Sequence, residues 1–168
     1  MRHGRPDCST WCLAGRGDHD GVRDDLRDSV VAGLGSQNAV LVDETGDLKK
    51  GSHTVGVQRQ YTGTAGRIEN AQVAVYLTYA TDTGHAFIDR ELYLPRSWAD
   101  DTDRRAAAGV RDEVEFATKP ALATTMVCRA LDAGSPACWV TGDEVYGADP
   151  GLRGELEARG RLRARGQL

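Results

Sequence analysis

Two short apolar runs, Ala39-Val40-Leu41-Val42 and Ala137-Cys138-Trp139-Val140-Thr141, constrain this chain most: each is too short for a helix and leads straight into acids. Runs of this length, rich in β-branched residues and bounded by turn formers, suit strands buried on both faces of a helix-covered sheet. The first run ends in Asp43-Glu44 and the second in Gly142-Asp143-Glu144. Carboxylates at the C-terminal ends of neighbouring parallel strands face the crevice in which open α/β sheets hold ligands.

The remaining patterns supply what would cover such a sheet. Val22, Leu26 and Val30 recur at four-residue spacing, predicting a helix from Asp18 with an apolar stripe, stopped by Gly33 or Gly35. Asp47–Thr54 reads as a polar loop, after which Val55, Val57 and Tyr61 alternate with polar residues as in a strand, until Gly63–Gly66 breaks it. Gln72–Ala80 and His85–Leu94 read as an antiparallel hairpin turned by Thr81-Asp82-Thr83-Gly84. Trp98–Ala108 is expected to be a polar helix. Thr118–Ala133 is a capped one, with Pro120 early and Gly134 as its stop. Asp149-Pro150 opens a last helix, with Leu152 and Leu156 on one face and Gly160 after it. Trp98, Trp139, Tyr76 and Tyr79 are read as core. The order helix, strand, hairpin, helix, strand, helix indicates an α/β fold.

Composition then excludes several function classes. A chain of 168 residues makes one domain, and 40% hydrophobic with 27% charged residues is too apolar for a disordered chain. No run approaches the ~20 apolar residues of a membrane span, and no hydrophobic signal segment follows Met1, so a cytoplasmic protein without a membrane partner is expected. The net charge of −4 rules out a polycation that holds nucleic acid by bulk charge; any DNA contact is local. Cys8, Cys12, Cys128 and Cys138 form no CxxC pair. His3 and His19 allow a zinc site to be drawn around Cys8 and Cys12, but no second spaced pair follows, and stray thiols are the default reading. Residues 1–17 lack periodicity and are expected to form a poorly ordered tail.

Asp43 and Asp143 are the candidate metal ligands, since hard cations such as Mg²⁺ take carboxylate oxygens and a metal pair drives phosphoryl transfer. Glu44 and Glu144 would point to the opposite face if their strands continue, leaving one ligand per pair. Strand-end acids also simply cap the next turn or helix, and spacing alone leaves both readings open. Lys49 and Lys50 follow the first acid, while Arg59, Arg67 and Asn70 flank a glycine-rich turn. They are either phosphate contacts or solvated loop charges. Tyr146 is placed to stack on a base or to pack. His53 and His85 are read as surface residues or as residues that support the site from behind its ligands, because a two-metal site needs no side-chain base.

The strings VLVDETGDLKKGSHTVGVQRQYTGTAGRIENAQVAVYLTYA, GHAFIDRELYLPRSWADD, DEVEFATKPALA and WVTGDEVYG resemble the catalytic region of bacterial insertion-sequence transposases of the DDE superfamily, insertion sequence 701 group. The resemblance runs over residues 18–160. It implies a ribonuclease-H-like fold, here an incomplete one with a mixed sheet and flanking helices. It also implies two Asp and one Glu that hold Mg²⁺ or Mn²⁺, and DNA cleavage and strand transfer at transposon ends. Asp43 of the DETG string matches the first catalytic Asp and Asp143 of the GDEVYG string the second, whereas Asp47 stands where an apolar residue is expected. Lys49, Lys50, Arg59, Arg67 and Asn70 become candidate DNA contacts. The family's Glu lies beyond Leu168, so the chain is expected to be inactive alone: a truncated remnant that at most binds DNA or an intact transposase.

Residues 161–168 are expected to be a non-family tail. Arg161, Arg163 and Arg165 could not fill a central strand without burying unpaired guanidinium groups. Leu162–Leu168 can be encoded so that a reading shifted by one letter gives Tyr-Val-Leu-Ala-Val-Ser, the apolar strand such a fold needs, so a frame change near Gly160 is the expected origin of the tail.

Overall fold

The computed structural model describes residues 18–36, 38–160 and 164–166. The expected tail over 1–17, with Cys8, Cys12 and His3, lies outside the described residues. Helix α1 (His19–Leu34) starts where Asp18 accepts the Gly21 N–H at 2.7 Å, and it stops at Gly35, whose φ of 83° suits glycine. Strand β1 (Asn38–Leu48) follows, then β2 (Gln58–Thr62), β3 (Arg67–Thr81) and β4 (Gly84–Leu92). Two short helices, α2 (Arg96–Ala99) and α3 (Thr102–Ala107), precede α4 (Lys119–Asp132), capped by Thr118. Strand β5 (Trp139–Gly142), α5 (Glu144–Gly147), α6 (Pro150–Ala158) and β6 (Ala164–Gly166) complete the order.

These strands make one mixed sheet in the order β2-β3-β1-β5-β6. β4 continues the same edge of β3 that β2 begins: β2 pairs residues 67–71 and β4 residues 74–81. β1 runs antiparallel to β3 and parallel to β5, and β5 is parallel to β6. The hairpin of β3 and β4 turns where expected. The fold is thus mixed α/β with flanking helices, as the sequence indicates.

Several local expectations need correction. β1 does not end at Val42 but runs to Leu48, because the 15-residue β3 gives it a partner all the way, from Asn38↔Thr81 to Leu48↔Ala71. Nor is it buried on both faces: Val40 and Val42 are buried, Leu41 is half-buried and Asp43 exposed. The reason is that the packed helices share one face. Val40, Val42, Val75, Leu77, Tyr79, Ile88 and Val140 meet α4 (Met126, Val127), α6 (Leu152, Leu156) and the C-terminal half of α1 in a single core. α1 presents Val30, Val31 and Leu34 to that core, while Val22 and Leu26 of the expected stripe stay 69% and 51% exposed. Trp98 and Tyr79 are core, but Trp139 lies on the uncovered face and is 46% exposed, and Tyr76 is half-buried there.

Val55 and Val57 join no strand. Val57 instead packs with Leu94 and Trp98 in a second cluster under α2 and α3, where its carbonyl accepts the Trp98 indole N–H at 2.8 Å. Arg104 lies 3.7 Å over the Trp98 ring and closes that cluster. The expected single helix over 98–108 is therefore two short ones wrapped around a buried tryptophan. At the other end of the sheet, Ala164–Gly166 pair in parallel with Val140–Gly142, so part of the arginine-rich tail enters the sheet at an edge. Among the described residues no helix is long and apolar enough to cross a membrane.

Candidate active site

Both acid-ended strands come together. β1 and β5 pair in parallel with Ala39↔Trp139, Val40↔Val140, Leu41↔Thr141 and Val42↔Gly142, so Asp43 and Asp143 are the next residues on adjacent strands. Neighbouring strands lie about 4.8 Å apart, so the backbones that carry the two acids are neighbours on the sheet. Val42 and Gly142 face the helices, so alternation directs Asp43 to the opposite, uncovered side, while Asp143, just past the end of β5, is exposed. Asp43 lines an open groove there with Leu41, Thr45, Tyr76, Thr78 and Phe87.

Each aspartate is held by backbone N–H groups. Asp43 Oδ1 accepts the Glu44 N–H at 2.7 Å. Asp143 Oδ1 accepts the Val145 and Tyr146 N–H groups at 2.9 and 3.2 Å, and so it is the cap of α5. Capping and ligation do not compete: one oxygen of each carboxylate fixes the side chain, and the other has no hydrogen-bond partner among the described residues. Two exposed, oriented carboxylates with an oxygen to spare fit a hard divalent cation by donor chemistry. Among the described residues no three His, Cys, Asp or Glu side chains gather into a group that could hold a metal ion.

Glu44 and Tyr146 have roles that spacing did not reveal. Because β1 continues, Glu44 points to the helix side, where its Oε2 accepts the Tyr146 O–H at 2.7 Å and its Oε1 the Lys119 Nζ at 2.5 Å. Tyr146 is fully buried, which excludes stacking on a base. Burial first, then the hydrogen bond to Glu44 and the charges of Glu44, Asp143 and Asp43, hold its phenol far above the ordinary range, so it remains a donor. Gly142 makes room for it: a Cβ at 142 would stand 2.9 Å from Tyr146 Cβ. Glu44 is separated from Lys119 by 75 residues and from Tyr146 by 102, so no local pattern could join them.

The basic candidates gather elsewhere. Lys49 and Lys50 follow the end of β1, six residues or about 20 Å along the strand from Asp43. Asn70 spends both amide hydrogens on the carbonyls of Lys49 and Gly51, at 2.8 and 2.9 Å, and thereby shapes that loop. Lys50 and Arg59 are exposed, with Arg59 paired across strands to Asn70. Lys49 approaches Asp47 at 3.8 Å and Arg67 pairs with Glu69 at 2.7 Å. His53 and His85 are exposed, as read.

Comparison with known proteins matches the sequence to a family. Residues 7–164 match the DDE superfamily endonuclease family. The chain belongs to that family. Over 109 residues it is 36% identical to a protein of Microchaete diplosiphon named as a probable transposase for insertion sequence element IS701. That stretch is 64% of this chain and 26% of the relative, so the chain spans about a quarter of the relative's length. No solved structure matches it. This DDE endonuclease segment thus has the ribonuclease-H-like arrangement that the sequence resemblance implies, with the acid-bearing strands at its centre.

Proposed function

We propose that this chain is part of the catalytic domain of an insertion-sequence transposase and that Asp43 and Asp143 are two of its metal ligands. The supporting observation is the parallel register of β1 and β5, which puts the two acids one residue beyond a paired Val42 and Gly142. A Mg²⁺ or Mn²⁺ ion bound to them supplies Lewis-acid activation of water and of a phosphodiester oxygen. The chain's own part is to hold the two carboxylates in place through the Glu44, Val145 and Tyr146 N–H groups. Lys49 and Lys50, on a loop that Asn70 shapes, and Arg59 and Arg67, on β2 and β3, meet the phosphate backbone of transposon-end DNA away from the reacting bond.

With two acids of the family's three, the 168-residue polypeptide by itself binds the metal weakly and neither nicks nor joins DNA. The same deficit favours a second role for the isolated polypeptide, binding transposon ends or an intact transposase without cutting. The test is a nicking and joining assay on labelled duplexes carrying the element's ends, with Mg²⁺ and with Mn²⁺. No product is expected. Robust metal-dependent cleavage that disappears in Asp43→Ala and Asp143→Ala would overturn the inactivity and mean that another acid completes the site.

A further inference from the structure

We infer that Glu44 is the positioning residue of the acid pair, linking Asp43 to Asp143 through Tyr146; this rests on the reading of the two aspartates as metal ligands. The link is continuous. The Glu44 N–H donates to Asp43 Oδ1 at 2.7 Å, its Oε2 accepts the Tyr146 O–H at 2.7 Å, and the Tyr146 N–H donates to Asp143 Oδ1 at 3.2 Å. One residue thus holds the first aspartate with its backbone and the second with its side chain.

The second aspartate needs such a link more than the first. Asp43 sits inside an eleven-residue strand paired along its whole length with β3, whereas Asp143 caps a four-residue helix, a single turn that does not hold itself together in water. What fixes that turn is Tyr146, whose ring is fully buried in the core against Gly142 and whose hydroxyl ends on Glu44. Lys119, anchored at the start of α4, takes the other Glu44 oxygen at 2.5 Å. It offsets a third negative charge close to the pair and keeps the Glu44 carboxylate aimed at Tyr146. Groups that orient metal ligands in this way typically change metal affinity ten- to a hundredfold when removed.

The experiment is a Mn²⁺ titration of the ¹⁵N-labelled 168-residue chain, following paramagnetic broadening of the amides around residues 43 and 143, a readout that works for weak binding. Tyr146→Phe keeps the buried ring and removes only the hydroxyl. It is expected to fold with unchanged amide dispersion and to weaken Mn²⁺ about tenfold. Glu44→Ala should do the same and the double variant no worse, since both cut one link. Glu44→Gln retains an acceptor for the hydroxyl and should stay near wild type. A role in packing alone would lower the melting temperature but leave Mn²⁺ affinity unchanged. Wild-type affinity in folded Tyr146→Phe and Glu44→Ala therefore overturns the inference while leaving the metal site standing. If Asp43→Ala broadens like wild type, or wild type does not broaden at all, the metal reading itself fails and takes the inference with it. Should Glu44→Ala not fold, Tyr146→Phe against wild type decides.

Discussion

At residue scale the site depends on one missing side chain as much as on those present. Gly142 lies opposite Val42, and a Cβ there would stand 2.9 Å from Tyr146 Cβ and 3.3 Å from the Val42 carbonyl oxygen. Neither neighbour can yield, since one is a buried ring in the core and the other a strand backbone. Gly142→Ala is therefore expected to cost about 1–3 kcal/mol of stability, the usual price of overpacking. It should also shift α5 and with it Asp143. A urea titration gives the first, and chemical-shift changes at residues 143–147 the second. An unchanged midpoint would mean that Tyr146 has more room than the geometry allows.

At the scale of elements, α1 and α4 look equally amphipathic in sequence but carry unequal loads. Met126 of α4 is fully buried, while Leu26 of α1 is 51% exposed. Met126→Ala should cost about 2–5 kcal/mol by leaving a cavity, and Leu26→Ala under about 1 kcal/mol, both measured by urea denaturation. The two helices meet over β4 through charge. The buried carboxylate of Asp89 lies 3.6 Å from Arg129 of α4 and 4.0 Å from Arg23 of α1. Burial outweighs these arginines and the Arg90 N–H, so its pKa lies above the ordinary carboxylate value. A carboxylate with a raised folded pKa contributes stability below its unfolded value of about 3.9 and loses it as pH rises through the folded one. Asp89→Asn stays neutral throughout, so wild type should lose stability relative to it as pH rises above the unfolded carboxylate value of about 3.9. Parallel stability curves for the two proteins would contradict this.

On the scale of the whole molecule, the described helices that enter the main core cover one face of the sheet, and β6 covers one edge. Phe87, Trp139 and Tyr76 remain partly or largely exposed on the other face, and the Tyr76 and Phe87 rings meet at a tilt of 38°, 4.9 Å between centroids. β6 hides the hydrogen-bonding edge of β5, the strand that leads to Asp143. Deleting residues 161–168 would turn Val140–Gly142 into a bare edge beside this apolar surface. The deletion is expected to lower the melting temperature and to promote concentration-dependent association, seen by size-exclusion chromatography. A monodisperse deletion variant with the wild-type melting temperature would show that β6 adds nothing.

Local chemistry determined much of this in advance. Helix limits follow from Asp18, Thr118 and Asp149 as caps and from Gly35 and Gly134 as stops, because a cap is a contact between residues three or four apart. The hairpin at Thr81–Gly84 and the existence of the strands that lead into Asp43 and Asp143 were legible in short local runs, though not the end of the first, and the DETG and GDEVYG strings pointed to the family. Burial was not legible in this way. Whether Val22, Leu26, Leu41 and Trp139 are covered depends on which face the helices occupy, and periodicity gives only the existence of a stripe. The length of β1 is set by a partner strand more than 20 residues away, and the two valines before β2 are claimed by Trp98. The side-chain link of Glu44 to Lys119 and Tyr146 spans 75 and 102 residues of sequence, and only the parallel pairing of β1 with β5 and the packing of α4 on them bring those groups within hydrogen-bond reach.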